Sequence, residues 1–483
     1  HCEATIMTTK RSLKGILRRA PKSKYANLVH TTTLNLASSI HTSKNVHSSS
    51  LNSKGVVSVH DAAANAVDMQ TDSVQDSLPP SLNEGGQSKQ ENDEVALFKS
   101  EELVLGPKLG SGEFSHVYEL DSFRLESDVG VVSHEESKKR INMKGIEKYR
   151  QTNKARYAVK HIKESYISDN GPEAYIKAAC DLAREAEFLA NLDHPNIIKL
   201  RGLALSGAAG FINGPCGYFL VIDRLFETLD QAIKRWHHGT TGQDRTSLRM
   251  LPRRLSNAIA KPRRNKITTN IKEIEDKHKM MDECLCAALQ ISAAMVYLHK
   301  HSIMFRDLKP ENIGFDVRGD LKIFDFGFAR FMTDGKDPYS DAYKMSVAGT
   351  ARYMAPECLS GKAYNLKADV YTFAIVLWEM LSGESAYSFV SDRDHLQNYV
   401  VDRCGRPEIN EIWPDHIKGM LEDSFDADMD ARPKMKTYCH FIRKELSSLR
   451  GGDMTGLTRA DMKRRRTTDS IRRIQAELES LRG

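Results

Sequence analysis

The spacing of apolar residues changes once along the chain, from strand-like to helix-like. In "EELVLGPKLGSGEFSHVYEL", Val104, Leu105, Val117 and Tyr118 flank glycines, which predicts two strands joined by a tight turn. "RYAVKHIK" reads as a further strand, and "GYFLVIDRL" as a strand running into a connector. Between them, "YIKAACDLAREAEFLANL" places Leu182, Ala186 and Leu189 at helical spacing and stops before Asp193, His194 and Pro195. The helical period returns from Met281 to His299, with Leu285, Leu289, Ser292 and Val296. Most of the ordered chain after that reads as helix. A strand-rich part therefore precedes a helix-rich part, which makes the expected class α+β.

Polar stretches frame and interrupt this pattern. Residues 1–100 are basic and rich in Ser and Thr, as in "SSIHTSKNVHSSSLNSKG", and read as disordered. The ordered domain is expected over 101–448, with solvated charged insertions at about 126–154 and 237–280. Residues 449–483 form a polar basic tail ending in a short helix around Ile471–Leu481. The chain opens on His1, and Met7 is a candidate initiator.

Composition narrows the class. The 483 residues are 40% hydrophobic and 28% charged with a net charge of +6, too mild to imply a nucleic-acid partner by itself. No apolar run is expected to reach bilayer length; "FAIVLW" from Phe373 is a core segment. The 8 cysteines show no metal spacing and read as reduced thiols of an intracellular protein.

The chemistry sits in short motifs. Gly110 and Gly112 in "LGSGEFSHV" let the backbone bend and approach a phosphate, although a glycine pair alone is more often a hairpin turn. Lys160, on the strand after that hairpin, can reach nucleotide phosphates and needs a carboxylate partner; Glu185 is the best placed, with Glu187 facing elsewhere. In "MFRDLKPEN", Asp307 can take a proton from an incoming hydroxyl, Lys309 can neutralise a transferring group, and Asn312 offers an oxygen to Mg²⁺. Asp325 in "LKIFDFGFAR" supplies a second hard ligand, and Gly327 permits a turn after it. Each aspartate alone is ordinarily a capped turn; their order and spacing together carry the signal.

With these motifs in hand, residues 103–448 resemble the eukaryotic protein kinases, serine/threonine type, with a lean toward the tyrosine-kinase-like group from "HPNIIKLRG" and "VLWEMLSG". The resemblance implies a two-lobed fold, a strand-rich N-lobe and helical C-lobe, with ATP in the cleft between. It adds "APE" at Ala355–Glu357, an anchor for the catalytic loop in Asp369, and a partner for Glu357 in Arg432. It implies that Val117, Ala158, Ile222 as gatekeeper, Asp223, Leu225 and Gly314 line the nucleotide site. Ser115 replaces the family's third loop glycine, and Phe305 its usual histidine. Phe305 is expected to pack in a column with Phe326 and Leu189. Gly314 replaces a larger apolar residue, which predicts a roomy floor under adenine.

The resemblance also implies a regulatory set. Arg306 is expected to meet a phosphate on the segment "FARFMTDGKDPYSDAYKMSVAGT", with Ser346 favoured over Thr333, Ser340 and Tyr343, or else an acidic side chain such as Asp334 or Asp341. Thr350 is expected to bond to Asp307 and Lys309 instead. The implied reaction moves the γ-phosphate of ATP, with Mg²⁺, to Ser/Thr acceptors on protein substrates. The chain is expected to be a monomer with no nucleic-acid or membrane partner. The cytoplasm is the expected compartment. Lys463–Arg466 and the arginines of the second insertion suggest the nucleus as an alternative, and the basic start suggests organelle targeting as a minor one. The rivals are a pseudokinase scaffold, disfavoured by intact Lys160, Asp307, Asn312 and Asp325, and a small-molecule kinase, disfavoured by the "GT…APE" segment.

Overall fold

A computed structural model of the chain describes residues 95–125, 139–143, 156–238, 266–332 and 337–450. The expectations for residues 1–94, for Lys463–Arg466 and for the terminal helix lie outside these, as do Thr333, Asp334 and most of the two insertions.

The first lobe is built from β1 (Ala96–Phe98), β2 (Leu103–Ser111), β3 (Ser115–Phe123), β4 (Tyr157–Ile162), helix α1 (Tyr166–Asn191), β5 (Leu200–Ala204) and β6 (Phe219–Asp223). The strands form one sheet in the order β1-β5-β6-β4-β3-β2. The expected hairpin is β2–β3, with Gly110 opposite Val117. Helix α1 buries Leu182, Ala186 and Leu189 as their spacing predicts, and is kinked where Gly171, at φ 82°, precedes Pro172.

Two expectations need correcting here. Order starts before residue 101: β1 pairs in parallel with β5, Ala96 opposite Gly202, and Val95, Ala96 and Phe98 are buried. Gly202 is required by this addition, since a Cβ there would lie 2.8 Å from the Phe98 ring. The first insertion is also not wholly solvated. Residues 139–143 are helical, and Arg140 and Met143 are buried. Arg140 donates to the buried carboxylate of Glu102 and lies 5.7 Å from the Phe98 ring centroid. A charged sequence hid the contact because its arginine is sheltered by a glutamate and an aromatic face rather than by apolar neighbours.

The second lobe follows. Strand β7 (Leu225–Thr228) leads into α2 (Leu229–His238) and α3 (Lys266–Lys300). Next come β8 (Ile303–Met304), β9 (Ile313–Asp316), β10 (Leu321–Ile323) and β11 (Arg330–Phe331). Helices α4 (Pro356–Leu359), α5 (Lys367–Ser382), α6 (Arg393–Gln397), α7 (Asp415–Ser424) and α8 (Met435–Leu449) complete it. Helix α5 is buried from Lys367 through Leu381, so it is the core around which the lobe is laid. It ends at Gly383, φ 75°, where a Cβ would lie 2.5 Å from the His237 ring.

Helix α3 differs from expectation in length and composition. It starts at Lys266, inside the second expected insertion, and its Lys277–Lys300 portion is long and apolar enough to cross a membrane by length and composition alone. Here it packs against α5 and α8, with 56% of its most apolar window buried. That is the environment of a core helix. The seven described cysteines are free.

Candidate active site

The cleft between the lobes brings together side chains that are far apart in sequence. Register sets the upper wall: Val117 on β3 faces Lys160 on β4, and Ala158 on β4 faces Ile222 on β6. Lys160 Nζ donates to Glu185 Oε2 at 2.6 Å and lies 3.4 Å from Asp325 Oδ1. Burial opposes the lysine's charge, but Asp325 and Glu185 outweigh it and hold its pKa above the ordinary value. Glu187 is buried as well, and burial pushes its carboxyl up to about 7. Asp325 adopts the left-handed region at φ 66°, ψ 74°, a costly conformation for a non-glycine residue.

The lower wall is a hydrogen-bonded loop. Asp307 is buried, and its Oδ1 accepts from the Thr350 backbone N–H and from Thr350 Oγ1, both at 2.8 Å. Its Oδ2 accepts from Asn312 Nδ2 at 2.8 Å and lies 3.0 Å from Lys309 Nζ. Lys309 also donates to Thr350 Oγ1 at 2.8 Å, so the expected Asp307–Lys309–Thr350 set is formed. Asn312 spends Nδ2 on Asp307, both on Oδ2 and on the backbone oxygen, which turns its amide oxygen the other way. The β9–β10 hairpin joins Asn312 to Asp325, and the Phe324 N–H donates to the Asn312 carbonyl at 3.0 Å. Two hard-oxygen groups are thereby held by one short unit, as a Mg²⁺ pair requires. Among the described residues no cluster of three His, Cys, Asp or Glu is arranged around a metal position.

Asp369 anchors the loop from below. It accepts from the backbone N–H groups of Phe305 at 2.9 Å and Arg306 at 3.0 Å, and its Oδ2 pairs with His299 Nε2 at 2.9 Å. Phe305 is fully buried and meets Phe326 edge to face with centroids 5.1 Å apart. The aromatic that α1 brings to Phe326 is Phe188, at 6.1 Å, which also stacks on Phe331 at 4.8 Å. Leu189, expected in that column, is buried in the same core. Helical spacing could not choose between the two neighbours. Arg432 grips Glu357 through two bonds of 2.7 and 2.8 Å, as the resemblance implied.

The remaining calls are met unevenly. Gly110 and Gly112 use no positive φ; a Cβ on Gly110 would face open space, and one on Gly112 would lie 3.3 Å from Ser115 Oγ. The Asp223 carboxylate is committed to Arg201 on β5 at 2.8 Å. The roomy floor is not found. A Cβ on Gly314 would lie 3.0 Å from Leu225 Cδ1 and 3.0 Å from the Glu227 carbonyl, so β7 already closes on the space a side chain would take. Arg306, expected to face a phosphate or an acidic side chain, is satisfied by neutral oxygens. It donates to the Phe328 carbonyl at 2.7 Å, the Ser346 carbonyl at 3.3 Å and the Tyr364 hydroxyl at 3.2 Å. Asp341 instead accepts from the Asp337 N–H. Ser346 is exposed. Arg330, which the sequence reading missed, is held down to about 10 by burial and by the nearby charges of Arg184 and Arg306.

Comparison with known proteins gives the same extent. A family model described as protein tyrosine and serine/threonine kinase matches residues 103–442. The serine/threonine-protein kinase STY17 of Arabidopsis thaliana is 36% identical over 160 residues, 32% of this chain and 27% of that protein. A mitogen-activated protein kinase kinase kinase 7-like protein of Drosophila melanogaster is 26% identical over 279 residues, 55% of this chain and 56% of that one. The dual specificity protein kinase shkB of Dictyostelium discoideum is 36% identical over 141 residues, 29% of this chain and 21% of that one. The chain thus spans between about a fifth and just over half of these relatives.

Proposed function

Since the chain belongs to the protein tyrosine and serine/threonine kinase family, we propose that it transfers the γ-phosphate of Mg-ATP to serine and threonine hydroxyls of protein substrates. The observation that carries this is the formed pair of constellations. Lys160 is bonded to Glu185 beside Asp325, and Asp307 is held by Thr350, Lys309 and Asn312.

Asp307 is fixed with one oxygen on Thr350 and the other toward Lys309 and Asn312, so it is oriented to accept the proton of an incoming hydroxyl. Lys309 lies beside it, where a positive charge offsets the negative charge of the moving phosphoryl group. Lys160 is kept charged and aimed by Glu185, suited to orient the nucleotide's phosphates. Asn312 and Asp325 would hold Mg²⁺, which neutralises phosphate charge when bound. The Lys309–Thr350 contact supports serine and threonine as acceptors, as does the name of the STY17 relative. The name of the shkB relative makes tyrosine the alternative acceptor to examine.

The proposal carries a monomer acting on proteins in the cytoplasm or nucleus. It also carries regulation by a phosphate on Ser346, supported by that residue's exposure and by Arg306, which donates to the Ser346 carbonyl. Phosphate incorporation from labelled ATP into a generic protein substrate tests the reaction, followed by acid hydrolysis to identify the acceptor. Asp325→Ala should abolish incorporation, and Asp307→Asn should lower it by about 10²- to 10⁴-fold. Turnover by Asp307→Asn close to that of the unaltered chain refutes the assignment of the loop.

A further inference from the structure

Between Asp325 and Thr350 the chain is fastened to the second lobe at a point unrelated to Ser346. The Tyr339 hydroxyl lies 2.8 Å from His299 Nδ1. Its ring meets the imidazole edge to face at 5.5 Å, and Lys434 Nζ sits 5.1 Å from its centroid. The backbone is held on both sides. Asn365 Nδ2 donates to the Tyr339 carbonyl at 2.8 Å, and the Leu366 N–H donates to the Pro338 carbonyl at 3.1 Å.

His299 is the same buried residue whose Nε2 meets Asp369. A carboxylate only accepts, so Nε2–H donates to Asp369. Nδ1 and the Tyr339 hydroxyl share the next hydrogen bond, which either atom can donate. Asp369 in turn accepts the backbone N–H groups of Phe305 and Arg306, the two residues before Asp307. One line of hydrogen bonds thus runs from the side chain of Tyr339 to the backbone that carries the proton acceptor.

We propose that Tyr339 is a positioning residue: its hydroxyl couples the order of the activation segment to the catalytic loop through His299 and Asp369, and sets the segment before any phosphate is added. Arg306 supports the second half of this, since its guanidinium is already bonded to segment oxygens. The backbone bridge of Tyr343 to Tyr364 also ties the segment down, but it does not touch the Asp369 network. The proposal rests on the phosphotransfer reading above.

The test uses the full chain after phosphatase treatment, compared with Tyr339→Phe, Tyr339→Ala and, as a control, the exposed Ser340→Ala. The readouts are kcat, KM for ATP, thermal midpoint, and the rate of trypsin cleavage at Lys344. Tyr339→Phe, which removes only the oxygen, should lower kcat about tenfold, the size of one lost buried hydrogen bond. Cleavage at Lys344 should speed up by a similar factor, while KM for ATP stays within about twofold and the midpoint within about 2 °C. Tyr339→Ala should exceed it on kcat and cleavage, and Ser340→Ala should match the unaltered chain.

Unchanged kcat and cleavage in Tyr339→Phe overturn the proposal. So does a uniform loss in which KM for ATP and the midpoint move with kcat, because that is a plain structural defect. If the phosphatase-treated chain is inactive and rapidly cleaved, the segment is not set before phosphorylation. A chain that transfers no phosphate to any acceptor but keeps Lys344 protected sinks the kinase reading instead, since cleavage is read without turnover.

Discussion

Arg140 and Arg432 each bury a guanidinium against a glutamate, one in each lobe, and they keep different company. Arg432 makes two parallel bonds to Glu357, donates to the Asp426 carbonyl at 2.9 Å, and lies 5.1 Å from the Tyr371 ring centroid. Its pair joins α4 to the residues that precede α8, beside the first residue of the buried core helix α5, whose carbonyl Arg432 also meets at 3.4 Å. Arg140 comes from a helical turn of five residues within an insertion and pairs with Glu102 beneath it, over Phe98. Glu102 is also bonded to the Lys99 N–H at 2.7 Å. Both pairs are desolvated, so neither is evidence of stability by its mere presence. What separates them is what happens when one partner is removed. Arg432 is fully buried and also donates to the Asp426 carbonyl, whereas Arg140 stands on a turn of five residues, so the loss of Arg140 is expected to open Glu102 to water more readily than the loss of Arg432 opens Glu357.

That contrast is broken or sharpened first at Arg432. Replacing it with Met should strand the Glu357 carboxylate in a site only 8% exposed and destabilise the fold by about 3–5 kcal/mol. Denaturant unfolding measures this, with activity lost because little folded protein remains. Asp307→Asn, which gives up the charge facing Lys309 but keeps the side chain's shape and one acceptor oxygen, should destabilise the fold by less than Arg432→Met. Equal unfolding midpoints for Arg432→Met and the unaltered chain would show that the second-lobe pair is as dispensable as a surface bridge.

The second effect is smaller. Arg140→Met should cost about 1–3 kcal/mol, the penalty for a buried acceptor losing its partner when partial hydration is open to it. A double-mutant cycle with Glu102→Gln should return most of that as coupling between the two positions. The same clasp makes the start of the domain measurable. A chain beginning at residue 95 keeps Ala96 and Phe98 against Gly202, and one beginning at 101 loses both. The shorter chain should be destabilised by more than Arg140→Met, since it removes the aromatic over which the guanidinium lies.

The two pairs also mark how far the sequence could be read. Arg432, Glu357, Lys160, Glu185 and Asp307 stand in short motifs whose order carries the information, and the structure brings them together as expected. Arg140 stands in "HEESKKR", where charge density reads as solvation, and its shelter is assembled from residues 38 or more positions away. Strand β1 was missed for a related reason. Three residues are too few for a period, and parallel pairing to β5 is a long-range choice with no local signal. Phe188 and Leu189 show the limit of helical spacing: both are buried, and only the three-dimensional placement of Phe326 decides which ring touches it. Tyr339 lay among many hydroxyl residues, and only its distance to His299 sets it apart.

The smallest effect concerns the floor of the cleft, where one residue's absence is answered by another's presence. Gly314 on β9 lies opposite Thr228 of β7, and the place of its side chain is filled by Leu225. Adding a methyl in Gly314→Ala brings a carbon to 3.0 Å from Leu225 Cδ1, which can rotate, and from the Glu227 carbonyl, which belongs to the strand. The expected result is a KM for ATP raised about three- to tenfold with stability nearly unchanged, the scale of a mild overpacking relieved by one side chain. Gly314→Leu should be worse, not better, because its bulk competes with Leu225 for one space. Combining it with Leu225→Ala moves the bulk from β7 to β9 at nearly constant volume and should recover part of the ATP affinity. Losses that simply add in the double variant would mean that the two side chains do not share the floor, and the space under the nucleotide would then have to be set by the Glu227 carbonyl alone.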